Sequence, residues 1–383
     1  VMQKEASRLR VLMVAPRYTP HPQGGIATHV YQVGPRLARA GVDLTILATD
    51  ISGKLPAVEE SEGMKILRVR AWPTNKDYYF APGIYPIITR GNWDLVHCHG
   101  SNGLIPPLAM FSAWRANIPY ILTLHSAGDV TRLRKVLRGL YRQMLRPLLL
   151  HAEKLIAVSE FEATFFQERL RLPAEQFVII SNGAGHLPEV PEATNGATNG
   201  ANHHRLIVSI GRLERYKGHQ RLIAALPKVL ERVPEAHLRI AGIGPYQPVL
   251  EKMARKLGVA DHVEIRPLPA GDWSGIASLL ARADLVTLLS EYESQGIAVL
   301  EALSLRRPVL VTRTSALQEF ADHGLVRAVP LKSTPVEVAT AVVDQLRQPL
   351  IPGISELPTW DDCAAKLLAL YQCVACKRQQ ICS

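Results

Sequence analysis

From residue 10 onward the chain repeats one pattern: a short apolar run rich in β-branched residues, then a longer stretch whose apolar positions recur at helical spacing. The runs at 11–15, 44–48, 66–69, 95–97, 120–124, 155–158 and 177–180 predict strands buried on both faces, with helices in most of the gaps. Such alternation predicts a parallel sheet covered by helices. The pattern breaks around 190–204, where Pro191-Glu-Ala-Thr-Asn-Gly-Ala-Thr-Asn-Gly-Ala-Asn offers nothing able to build a core. It resumes with predicted strands at 206–210, 238–241, 263–265, 285–289 and 309–312, and closes with a helical pattern over 360–371. The expectation is an α/β protein of two doubly wound domains, 1–190 and 205–358, joined by a linker at 191–204 and followed by a terminal helix in 359–383. Two such domains imply a cleft, with ligands at the carboxyl ends of the strands.

The stretch 290–301, Ser-Glu-Tyr-Glu-Ser-Gln-Gly-Ile-Ala-Val-Leu-Glu, occupies one of those ends. It follows the apolar run at 284–289 and leads into a helical pattern over 297–306, before Pro308. The first N–H groups of a helix lack internal partners, so Gly296 and Ile297 can donate to an anion. Glu293 and Glu301 frame that position, and carboxylates that would repel a phosphate suit hydroxyls instead. Amides between two hydroxyl acceptors fit a sugar nucleotide, whose diphosphate lies between a ribose and a hexose. On spacing alone, a loop charge at Glu293 and a solvated helix residue at Glu301 stand as the alternative.

Other strand ends carry further candidates. The loop after the first strand ends in Gly24-Gly25 at a helix start, without the Gly-x-Gly-x-x-Gly spacing of a dinucleotide site. The pair is either a turn or a place where backbone approaches phosphate or sugar. After the first strand of the second half comes Gly211-Arg212-Leu-Glu-Arg-Tyr-Lys217-Gly218, in which Arg212 offers a fork for phosphate oxygens and Lys217 a mobile point charge. His125 closes another strand, where a structural hydrogen-bonding role competes with a functional one. His97 and His99 share one face of a strand, but no carboxylate cluster lies near them in the sequence, so no metal is expected.

Taken together, the Gly-Gly loop, Gly211-Arg212 with Lys217-Gly218, and Glu293 with Glu301 resemble a family 4 retaining glycosyltransferase of the GT-B fold, two Rossmann-like domains facing across a cleft. The resemblance runs from Val11 to about Tyr371. It implies transfer of a hexose from a nucleotide-diphosphate sugar, UDP or GDP in type, to a hydroxyl acceptor, such as a lipid-linked or cell-envelope glycan of polysaccharide biosynthesis. Arg212 and Lys217 would neutralise the diphosphate with help from the amides of Gly296 and Ile297. Glu301 would hold the ribose, Glu293 the donor sugar, and Gly24 and Gly25 would close over the phosphates from the other domain. His125 matches the active-site histidine beside the donor sugar, and the terminal helix would cross back to the first domain. No cofactor or metal is implied, since cations and a helix end supply the positive charge. The chain departs from the family pattern at Ser126, where Asp is frequent, at Ser294-Gln295, where Gly-Phe is common, and at Gly185, where Asp is usual. Remaining readings are a sugar-nucleotide epimerase, a phosphorylase, or a catalytically silent sugar-nucleotide binding module.

Charge adds one element. The net charge is +10, yet up to residue 200 the basic excess comes wholly from 131–154, with seven Lys and Arg against Glu153. On a helical wheel Leu133, Leu137, Leu140, Tyr141, Met144 and Leu148 gather on one face, with Arg134, Lys135, Arg138, Arg142 and Arg146 on another. Residues 131–150 therefore predict either a helix packed on its sheet or an interfacial helix on an anionic membrane. Basic residues on one helix without interleaved aromatic platforms speak against nucleic acid. With no long apolar run and no signal peptide behind Met2, the expected place is the cytoplasm, peripheral on the inner face of the membrane. Five cysteines, Cys98, Cys363, Cys373, Cys376 and Cys382, suggest reduced thiols and no disulfide framework.

Overall fold

The computed structural model describes residues 8–18, 24–73, 79–125, 132–185, 187–188, 205–269, 271–353 and 357–382, with backbone alone for 132–138 and 378–382. The predicted linker at 191–204 lies outside the described residues. The chain divides into two compact units, 1–182 with 359–383, and 183–358.

The first unit contains β1 (Arg10–Ala15), α1 (Gly25–Arg39), β2 (Asp43–Asp50), β3 (Val58–Ser61), β4 (Met64–Arg70), α2 (Ile84–Arg90), β5 (Leu95–His99), α3 (Ile105–Arg115), β6 (Tyr120–Thr123), α4 (Arg132–His151), β7 (Lys154–Ala157), α5 (Glu160–Leu170) and β8 (Phe177–Ile179). Its sheet runs β3-β4-β2-β1-β5-β6-β7-β8, parallel except for β3. Because β2 and β5 flank β1 on opposite sides, the winding reverses between β1 and β5, where the ends of strands leave a crevice for a ligand.

The second unit contains β9 (Arg205–Ile210), α6 (His219–Leu230), β10 (Ala236–Ala241), α7 (Gln247–Lys256), β11 (Val263–Arg266), α8 (Trp273–Ala281), β12 (Leu285–Leu288), α9 (Ile297–Ser304), β13 (Val309–Arg313), α10 (Ser315–Asp322), β14 (Arg327–Pro330) and α11 (Pro335–Arg347). All six strands are parallel, in the order β11-β10-β9-β12-β13-β14, so its reversal falls between β9 and β12. The central strands are buried throughout, as their unbroken apolar runs require.

The last helix, α12 (Trp360–Cys382), packs on the first unit and extends well past the predicted 360–371. Trp360, Cys363, Leu367, Tyr371 and Val374 enter the same apolar core as Val30, Val33 and Leu37 of α1. At the centre of that contact the Tyr371 hydroxyl meets His97 Nδ1 at 2.6 Å.

Helix α4 corrects the helical-wheel reading. Arg142, predicted on a solvated basic face, is buried, with its guanidinium 5.1 Å and 5.6 Å from the ring centroids of Phe165 and Phe166 on α5. Arg146 donates to the Leu170 carbonyl at 2.8 Å, at the negative end of α5. Aromatic faces and helix-end carbonyls thus draw two cations inward. Leu140 and Met144, on the apolar face of the wheel, are 64% and 73% exposed, against the reading of a face packed on its sheet, while Leu145 and Leu149 reach the core. The side chains of Arg134, Lys135 and Arg138 lie outside the described residues. Among the described residues no helix is long and apolar enough to cross a membrane.

Candidate active site

The reversal point of the second unit collects the loops that follow β9, β12 and β13. Gly218 caps α6 in the left-handed region at φ +78°, and a Cβ there would stand 1.9 Å from the Leu289 carbonyl oxygen. Only glycine lets the loop after β9 rest on the backbone at the end of β12. His219 then fastens this loop to its own strand, with Nδ1 2.9 Å from Ser209 Oγ and Nε2 3.2 Å from the Arg212 carbonyl oxygen.

These contacts bring Lys217 to Glu293, Nζ to Oε1 at 2.7 Å, with both side chains largely withdrawn from solvent. Ser290 Oγ donates to the same carboxylate oxygen at 2.7 Å, and the Glu293 amide donates to Ser315 Oγ at 2.8 Å. Glu293 is therefore fixed from three loops. Gly296, at φ +97°, turns the chain into α9, so the amides at Gly296 and Ile297 head the first turn of that helix. Glu301 is buried in α9, not solvated as the alternative reading would have it.

Arg212 is brought beside this group but left largely exposed, at 66% of its side chain, paired with Glu214 at 2.9 Å and donating to the Tyr216 hydroxyl. Tyr216 aligns the two cations: its ring lies 5.7 Å from the Arg212 guanidinium and 5.4 Å from Lys217 Nζ, and it stacks on Tyr292. Tyr216, Ser290, Ser315 and His219 are functional neighbours that sequence reasoning passed over. Tyr216 and Ser290 lay inside the quoted motifs, whereas Ser315 gave no local signal.

The first unit gathers a second group at its own reversal point. Gly24, at φ +87°, begins α1 and leaves open space around its α-carbon, with Gly25 the first residue of the helix. Residues 19–23 of that loop lie outside the described residues. His29 on α1 is buried, its Nδ1 2.7 Å from Asn182 Oδ1. His97 and His99 at the end of β5 are also buried, and His125 follows β6 with φ +54°. His99 Nδ1 lies 3.1 Å from His125 Nε2, and His97 Nε2 lies 2.7 Å from Thr123 Oγ1. The sequence offered His97 and His99 as an isolated pair; the fold adds His29 and His125 to them.

Burial holds these rings neutral. It lowers His29 to a pKa of about 4, against the upward pull of Asn182, and pushes His97, His99 and His125 well below the usual histidine value. His219 in the second unit is also lowered to about 4 by burial.

Two doubly wound units, the second of which sets cations beside helix-end amides at a switch point, define a glycosyltransferase of the GT-B fold. Residues 23–184 match the family model "Glycosyltransferase Family 4" and residues 194–346 match "Glycosyl transferases group 1". The chain belongs to glycosyltransferase family 4, a family of retaining hexosyltransferases. It is 25% identical over 398 residues to an uncharacterized glycosyltransferase of Methanocaldococcus jannaschii, covering 95% of this chain and 98% of that one. It is 27% identical over 391 residues to the phosphatidyl-myo-inositol mannosyltransferase of Mycolicibacterium smegmatis, covering 96% and 94%. Among solved structures, Anabaena HepE in complex with UDP-glucose superposes with a TM-score of 0.69 at 17% identity, covering 98% of each chain.

The lowered histidines set the pH response. An unfolded histidine takes up a proton as pH falls through about 6.5, whereas folded His29 and His219 wait until about 4. The unfolded state then binds more protons, so stability is full above 6.5 and declines as pH falls towards 4. Each residue should remove up to roughly 2 kcal/mol by pH 5. Urea midpoints should drop steadily between pH 7.5 and 5, and less so in His219→Gln for the second unit; a flat or rising midpoint would contradict the assignment.

Proposed function

We propose that the second unit binds a nucleotide-diphosphate sugar, UDP- or GDP-linked, at the loops after β9 and β12, and that the enzyme transfers its hexose with retention to a hydroxyl acceptor. The observation that carries this reading is the Lys217–Glu293 pair at 2.7 Å beside the start of α9. A diphosphate drawn to Lys217, Arg212 and the amides of Gly296 and Ile297 leaves Glu293 to accept from donor-sugar hydroxyls. Glu301 takes the ribose hydroxyls. The relative crystallised with UDP-glucose agrees with this choice of donor.

The chemistry follows from where charge develops. As the bond from the anomeric carbon to the diphosphate breaks, negative charge builds on the departing oxygen, and fixed cations and amides stabilise it more in the transition state than in the ground state. The acceptor oxygen bonds to the anomeric carbon on the face that the diphosphate leaves, and its proton passes to a diphosphate oxygen. Configuration is thereby retained without a protein nucleophile. His125 and the start of α1 at Gly24 and Gly25 belong to the first unit.

A lipid-bearing acceptor is favoured by a separate observation. Leu140, Met144 and His151 recur along one face of α4, and Trp114, itself 45% exposed, meets the His151 ring at 5.6 Å. Phe111, 41% exposed, lies beside Trp114 at 6.0 Å. This apolar ridge takes over the interfacial role that the sequence gave to basic residues. The mannosyltransferase relative is named for a phosphatidylinositol acceptor, which agrees with it.

Two measurements test the proposal. In a thermal-shift panel of nucleoside diphosphates and their sugars, with and without EDTA, one diphosphate should stabilise the wild type by several degrees, and Glu301→Ala should weaken its binding about tenfold, as for one lost hydrogen bond to a charged group. No response to any diphosphate would overturn the donor site; binding without turnover would point to the silent module, and turnover without acceptor to an epimerase. In flotation with phospholipid vesicles, Leu140→Glu/Met144→Glu should lose at least tenfold in binding, whereas unchanged flotation would remove the membrane role.

A further inference from the structure

We propose that a groove at the amino ends of β9, β12 and β13, wholly within the second unit, binds a small organic phosphate, a monoester whose body presents an apolar face. The groove measures about 640 Å3, within the range of roughly 300–1,000 Å3 usual for small-molecule sites. Arg205 opens β9, Asp284 precedes β12 and Pro308 precedes β13. The groove therefore lies at the opposite edge of the sheet from the loops after β9 and β12 that carry Lys217 and Glu293. Helix α9 separates the two places: Gly296 caps its start, whereas Leu305, in the groove wall, caps its end. The groove site is independent of the donor-site reading.

Charge on the walls is unbalanced. Arg205, Arg306 and Arg307 line the groove together with one carboxylate, that of Asp284. Asp284 is already committed, since Oδ1 meets Arg205 Nη1 at 3.2 Å and Oδ2 accepts from the Leu206 amide at 2.8 Å. Arg307 Nε donates to the Leu305 carbonyl at 3.0 Å, which leaves its two terminal nitrogens uncommitted among the described residues. The Arg306 side chain has no hydrogen bond or ion pair among the described residues. Two guanidinium forks with nothing anionic to meet suit the oxygens of a phosphate.

Arg306 is held in a costly conformation. Its amide donates to the Leu303 carbonyl at 2.9 Å and the Arg307 amide to the Ala302 carbonyl at 2.9 Å, the paired closure in which the residue after the cap turns left-handed. Its φ is +56°. Glycine is the usual residue there, because a side chain strains that backbone. The pull of a helix end on a cation does not explain the choice, since Arg307 already meets the last carbonyl. A ligand for the Arg306 guanidinium does explain it.

The other walls supply the apolar face. Leu305, Leu346 and Ile351 line the groove, with Ile351 44% exposed. Gln345 fixes this side: its Nε2 donates to the Val309 carbonyl at 2.9 Å and its Oε1 accepts from the Leu350 amide at 2.9 Å. Inorganic phosphate alone would leave most of the groove unfilled, so the ligand carries a body.

Phenyl phosphate is the probe, with inorganic phosphate as the control that lacks a body. Isothermal titration of the full chain should show one phenyl phosphate bound, at least about tenfold more tightly than inorganic phosphate, from the apolar area that the ring buries. Arg306→Gly should weaken its binding about tenfold or more, as for a lost hydrogen bond to a charged group, while raising Tm, since glycine relieves the left-handed backbone. Ile351→Glu, which sets a carboxylate in the groove from an exposed position, should weaken it as much, and this variant decides if Arg306→Gly lowers Tm. Lys217→Ala should bind the probe as the wild type does. No binding of phenyl phosphate at about 10 mM, equal binding of inorganic phosphate, or binding that follows Lys217 and not the groove residues overturns the site.

Discussion

The ion pair between Lys217 and Glu293 is the constraint on which the donor side depends. It ties the loop after β9 to the loop after β12 at 2.7 Å, with Ser290 on the same oxygen and Ser315 on the Glu293 amide. Largely buried, such a pair contributes more to position than to net stability, since desolvation offsets much of its attraction. Removing one partner leaves the other uncompensated. On the proposed function, its value is that a cation stands at a helix start where a diphosphate can draw on it.

Both units place their chemistry where the strand order reverses, and in both the approach is set by glycine. Gly24 opens α1 and Gly296 opens α9, each with positive φ. Gly218 lets two backbones touch across adjacent strands. What differs is the charge. The second unit gathers Arg212, Lys217 and two carboxylates, whereas the first gathers four neutral rings whose burial keeps protons off them. On the proposed function, the charged group takes a phosphate and its hydroxyls. The other offers nitrogen lone pairs.

The long apolar runs made twelve strands legible, because a strand covered on both faces needs such a run. The two that were missed, β3 and β14, are edge strands: Val58–Ser61 is mostly polar and Arg327–Pro330 ends in proline, so neither carries the buried-strand signature. Lys217, Glu293 and Glu301 were legible as types in a spacing, but their pairing was not, since it rests on β9 and β12 being neighbours. The α4 wheel misread Arg142 because amphipathicity shows two faces and not what lies against them; Phe165 and Phe166 decided that. The histidine group was invisible for the same reason, as no spacing links His29 to His125.

The central claim is hexosyl transfer with retention at the donor site of the second unit. The most direct measurement is the proton NMR spectrum of the anomeric position during turnover of an α-linked nucleotide sugar, with any hydroxyl acceptor that supports release of diphosphate. The account predicts an α-linked product from the first turnovers, and loss of product signal in Lys217→Ala with the fold intact. A β-linked product, or undiminished turnover in that variant, would contradict it.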